Sequence, residues 1–112
     1  MSSHTSAAET GTWTFLSNHA HVLLCLYVDP GSRGRDVASK VGITERAVQK
    51  IISDLETGGL IVRERVGRRN QYTLQMDQPL RHPLERGTSV RELVELLYAS
   101  MPESEKKAAE AE

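Results

Sequence analysis

The stretch RDVASKVGITERAVQKIISDLETGGLIVRERVGRRNQYTLQM, residues 35–76, changes its hydrophobic period at Gly58 and Gly59, and that change decides the fold. Before it, Ala47, Val48, Ile51, Ile52 and Leu55 recur at helical spacing. They predict a helix over 45–57 whose Glu45, Arg46, Gln49, Lys50 and Ser53 face outward. Thr44 opens this helix, and the paired glycines stop it. Upstream, Val37, Ala38 and Val41 predict a short helix over 35–41, ended by Gly42 because glycine accepts the positive φ that follows a helix C-terminus. Downstream, Leu60, Val62, Glu64 and Val66 alternate with Ile61, Arg63 and Arg65. That is a strand, followed by a turn at GRRN and a second strand at QYTLQM, giving a hairpin with a basic tip.

On the N-terminal side, Ser17 is placed to cap a helix over 18–28 with Ala20, Leu23, Leu24 and Tyr27 on one side, before DPGS forces a turn. On the C-terminal side, Pro79 and Pro83 punctuate a link, after which Ser89 caps a last helix carrying Val90, Leu93, Val94 and Leu97. The expected class is therefore mainly α with a small antiparallel β-hairpin. At 112 residues the chain holds one small domain, too small to enclose a large catalytic cleft alone. It offers no Gly-rich phosphate loop, HExxH or glycine-framed nucleophile, so no catalytic residue, cofactor or enzymatic activity is expected. With one cysteine, no charged leader and no apolar run near 18 residues, it reads as a cytoplasmic protein with no membrane partner.

The order helix, helix, tight turn, helix and basic ribbon, from Ser17 to Met76, closely resembles the winged helix-turn-helix of small prokaryotic transcription regulators. In that resemblance Ala38 is the small residue that lets the two motif helices approach, Gly42 the inter-helix glycine, and Val48 and Ile51 the internal apolar pair. The continuation LETGGLIVRERVGRRNQYTL resembles the MarR and ArsR families in particular. The resulting division is a flexible N-terminal tail at 1–12, a winged helix-turn-helix domain at 13–86, a C-terminal helix at 87–100 and a charged flexible tail at 101–112.

A helix fits the major groove, where exposed polar side chains meet base edges while cations and amides hold phosphates. Arg46, Gln49 and Lys50 are the expected base readers of double-stranded DNA: arginine or lysine donates to guanine, and glutamine exchanges a donor and an acceptor with adenine. Backbone contacts are expected from Arg35, Thr44 and Ser53, and from Arg68, Arg69 and Asn70 at the wing. Solvated helix faces carry charges too, and the same fold can present its third helix or wing to protein, so a protein-interaction module is the alternative. Its discriminator is whether carboxylates neutralise these cations or leave them open.

His19, His21 and Cys25 raise a metal-sensor reading through the ArsR resemblance, but without a second cysteine or a carboxylate cluster no metal site is expected. A pocket between the first and last helices, lined by Trp13, Phe15 or Tyr27, resembles the arrangement that responds to small-molecule effectors in some MarR-like regulators. Val90, Leu93, Val94 and Leu97 either close the core or pair two copies into a homodimer, the favoured assignment. The formal charge of -1 conceals an asymmetry. Residues 33–72 carry nine basic against five acidic side chains, net +4, and the remainder five against ten, net -5. A basic recognition block flanked by acidic segments is the footprint expected of a DNA-binding module.

Overall fold

The computed structural model describes residues 13–110. Helix α1 spans Asn18–Val28, α2 Gly34–Val41 and α3 Glu45–Thr57. They share a core in which Val22, Leu26, Val37, Val48 and Ile52 are almost wholly removed from solvent. The inward side of α1 is Val22, Leu23 and Leu26, whereas Leu24 and Tyr27, expected there, are half-buried. The physical reason is that α1 has neighbours on several sides: α3, α2, the hairpin and the last helices all touch it. Its apolar residues therefore surround the axis instead of marking one stripe.

Between α2 and α3 the chain turns in three residues. Gly42 adopts the left-handed conformation (φ 87°), and the amides of Gly42 and Ile43 both donate to the Ala38 carbonyl, at 2.8 and 3.0 Å. The Thr44 hydroxyl then accepts from the Ala47 amide at 3.0 Å, satisfying an orphan donor of α3. At the far end Gly59 takes φ 80° and the Leu60 amide returns to the Leu55 carbonyl at 2.9 Å. This closes the helix and turns the chain directly into the hairpin.

Strands β1 (Ile61–Val66) and β2 (Arg69–Leu74) pair antiparallel, with Ile61 opposite Leu74, Arg63 opposite Tyr72 and Val66 opposite Arg69. The loop is only Gly67 and Arg68. A positive φ at its first position (64°) is what a two-residue hairpin loop with glycine leading requires. Arg69 and Asn70, read from the sequence as turn residues, therefore lie in β2. Ile61, Tyr72 and Leu74 face the core, while Val62 and Val66 lie exposed on the opposite face. Strand β2 is fastened to the turn after α1: the Tyr72 amide donates to the Pro30 carbonyl at 2.9 Å, and Arg69 Nη2 to the Gly31 carbonyl at 2.8 Å.

After a 3₁₀ turn at Pro83–Glu85, α4 runs over Val90–Ala99 behind a capping box in which Ser89 and Glu92 satisfy each other's amides. Val90 and Val94 are fully buried in the protomer's own core, and Leu93 and Leu97 are half-buried. Val90 and Val94 thus close the monomer and are withdrawn from any partner, a correction to the expected dimer face. The stretch after residue 101, read as a tail, carries helix α5 at Glu103–Glu110. It is held by a 3.1 Å ion pair from Lys40 to Glu105 and by Lys106 stacked 5.0 Å from the Tyr98 ring centre. The expected N-terminal tail at 1–12 lies outside the described residues. Among those described, no helix is long and apolar enough to cross a membrane.

Burial sets unequal costs for two leucines. L26A is expected to lower unfolding stability by about 2–5 kcal/mol, and L84A, at a residue 91% exposed, to leave it within about 0.5 kcal/mol. Urea denaturation of both variants checks the core assignment.

Candidate nucleic-acid interface

At 3.6 residues per turn, the side of α3 opposite the buried Val48, Ile51, Ile52 and Leu55 presents Arg46, Lys50 and Ser53, with Gln49 and Asp54 on its two flanks. Arg46, Gln49, Lys50 and Ser53 are all exposed. Gln49 leans over the start of α2: its amide nitrogen lies 2.7 Å from where a Cβ on Gly34 would stand. Arg35, in the first turn of α2, is exposed as well. Among the described residues no ion pair involves Arg33, Arg35, Arg46, Arg65 or Arg68.

Lys50 differs from Arg46. Its ammonium donates to Asp54 Oδ1 at 2.9 Å, one helical turn on, while His19 of α1 meets Asp54 Oδ2 at 2.9 Å. A carboxylate only accepts, so His19 Nε2 carries the proton of that bond. The hydrogen bond from His19, then that from Lys50, hold the Asp54 carboxyl below the usual aspartate range. Sequence reasoning passed over Asp54 and weighed His19 only in a metal-sensor reading. The i,i+4 spacing of Lys50 and Asp54 was available to it, whereas the approach of His19 depends on how α1 crosses α3.

On the wing, Arg68 stands exposed in the two-residue loop. Arg69 is committed to the Gly31 carbonyl and Asn70 is half-buried, so the three residues expected to act together are divided between one exposed loop residue and two held at the start of β2. Arg65, left among the strand residues by the sequence reading, is exposed beside the tip, with its Nε donating to the Gly67 carbonyl at 3.3 Å.

Two concavities lie away from this face. A cavity of about 270 Å³ between α1, α2 and α5 is lined by Leu24, Cys25, Val37, Lys40, Met101 and Glu105 among others. None of the three expected aromatics lines it. Phe15 instead borders a more open groove of about 530 Å³ with Leu23, Leu55, Leu80 and Leu93, and stacks edge-on against Trp13 at 5.2 Å. Tyr27 stacks edge-on against Tyr98 at 5.6 Å. Burial pushes the Cys25 thiol up from its ordinary range, against a smaller opposing pull from Lys40, which keeps it protonated at neutral pH. His21 donates from Nδ1 to the Asn18 side-chain oxygen at 3.1 Å. Among the described residues no three His, Cys, Asp or Glu side chains are grouped to hold a metal.

Three helices, a capped turn between the second and third, and a two-stranded wing that leaves the end of the third define a winged helix-turn-helix. The chain is similar to the PcaV transcriptional regulator from Streptomyces coelicolor, whose crystal structure is of a complex with its natural ligand. The sequence identity is 20%, the match covers 94% of this chain and 76% of that one, and the TM-score is 0.47. No family model matches the chain, and no curated protein matches it.

The Thr44 cap sets the start of the outward face. T44A is expected to cost about 1 kcal/mol in chemical denaturation, and T44S to recover most of it.

Proposed function

We propose that this protein binds double-stranded DNA and regulates transcription, with α3 in the major groove and the wing against the backbone or minor groove. The observation that carries the reading is the outward side of α3. It begins at a side-chain cap, bears Arg46 exposed and outside every ion pair among the described residues, and lies opposite the apolar side that fixes it to the core. Such a face supplies donors to base edges without the cost of stripping them from a carboxylate. Arg46 and Gln49 are the proposed base readers, joined by Lys50 once its bond to Asp54 is shared or exchanged. Thr44, Ser53 and Arg35 are assigned to phosphates, and Arg68, with Arg65 beside it, to the backbone next to the groove.

We assign pairing of two copies to exposed Leu96 with half-buried Leu93 and Leu97, since Val90 and Val94 are spent on the protomer's core. A two-fold dimer would set two copies of α3 about one DNA turn apart. A small effector would fit the cavity beside Cys25 and Lys40, whose 270 Å³ is just below the usual range for small-molecule sites. The place of action is then the cytoplasm, where the DNA is.

Selection from a random duplex library at two salt concentrations tests the reading. The wild type is expected to enrich a motif, R46A/Q49A to lose about 1–3 kcal/mol of preference per contacted base, and R68A to flatten the salt slope by about one. No enrichment together with salt-independent retention overturns it and favours the protein-interaction module.

A further inference from the structure

Asp54 is an acid on the flank of a face otherwise equipped to meet phosphate. Its two carboxylate oxygens are taken by two different cation-capable donors: Lys50 Nζ from one turn earlier on α3, and His19 Nε2 from α1, 35 residues back in the chain, each at 2.9 Å. The Lys50 side chain is 74% exposed. An ammonium on a flexible four-carbon stem with that freedom takes the nearest phosphate of any duplex, and such contacts carry no sequence information. Held along the helix by Asp54, the same charge is withheld from the backbone.

Resting on the DNA-binding reading of α3, we propose that Asp54 is a specificity-determining positioning residue. It holds Lys50 back from indiscriminate phosphate contact, and releases or shares it only where the groove offers an acceptor that outcompetes a carboxylate. His19 holds Asp54 in turn, so the aim of Lys50 is tied to the way α1 crosses α3. The pair is exposed, and pairs of that kind shift an equilibrium by about fivefold at most. It is therefore a bias that a correctly placed base edge can overcome, not a block. Gln49, on the flank opposite Asp54, has no charge to restrain, which makes the two sides of the reading helix unequal: one set by an uncharged amide, the other by a competed cation.

The test compares wild type, D54N, D54E, K50A and K50A/D54N for binding to a random duplex and to the selected motif across a salt series. D54N is expected to bind random duplex roughly two- to fivefold more tightly at low salt. Its salt slope should steepen by about one, the signature of one more neutralised phosphate. Its preference for the motif should fall accordingly. D54E, which keeps the i,i+4 carboxylate, is expected to behave as wild type, and K50A/D54N to have the slope of K50A. A D54N slope equal to wild type, or the same steepening in the K50A background, overturns the proposal, because the first removes the restraint and the second reduces it to net charge. A wild type that binds no duplex overturns the DNA-binding reading itself, and the proposal with it. Independently of DNA, NMR titration of the Asp54 carboxyl is expected to move up towards the ordinary aspartate range in both H19Q and K50A. An unmoved midpoint in both removes the contact on which the proposal stands.

Discussion

The structure depends on α3 being apolar along one side only. Val48, Ile51, Ile52 and Leu55 must pack against α1 and α2 for the domain to have a core, and at 100° per residue that obligation fixes where every other side chain of the helix points. Arg46 and Ser53 are exposed because nothing apolar remains on their side to attract a neighbour. Lys50 lies on that side as well, and Gln49 and Asp54 sit at its two borders. Lys50 accordingly finds a polar partner at one edge, in Asp54, while Gln49 at the other leans over Gly34 at the start of α2. The chemistry of the outward face is thus a remainder left by the packing of the inward one.

The turns convert that remainder into a usable geometry. A three-residue link between α2 and α3 needs a left-handed residue to end one helix and an oxygen to begin the next, and Gly42 and Thr44 supply them in that order. Gly58 is constrained from outside: a Cβ there would stand 3.2 Å from the Asp54 carbonyl and 3.3 Å from the Arg81 guanidinium. The link that carries Arg81 therefore covers the end of α3, and Arg63 of β1 ties the hairpin to the last turn of that helix through a 3.2 Å ion pair with Glu56.

The sequence made the central part of this fold readable because its periods are strong and its boundaries carry chemistry. Helix α3 has caps at both ends and an unbroken apolar stripe, and it lies over the residues expected. Where a segment meets the core from several directions, periodicity loses its meaning, as for Leu24 and Tyr27 of α1. Where a turn can close with two residues or four, the glycine's φ decides, and that moved Arg69 and Asn70 off the tip. Val90 and Val94 show a third limit. An apolar stripe says that a helix face is covered, but not whether the cover is the same chain or a second one. In the candidate site, exposure of Arg46, Gln49 and Lys50 followed from helix phase alone, whereas the engagement of Lys50 by Asp54 and His19 required tertiary placement.

The anchoring of the hairpin at Pro30 and Gly31 has a mechanical side. Tyr72 is fastened by its backbone amide and Arg69, next to the loop, by the end of a long side chain, so the ribbon is a short lever whose backbone is pinned at Tyr72 and whose tip is steered through Arg69 from the turn after α1. Arg68 lies four positions before Tyr72, an arm of about 13 Å at the usual rise of an extended chain. A rotation of about 5° at the pivot carries the arginine through about 1 Å, a displacement larger than the spread of good hydrogen-bond lengths. The reach of the wing is therefore set by two carbonyl groups of the turn after α1, those of Pro30 and Gly31, and small adjustments of that turn are magnified at the tip.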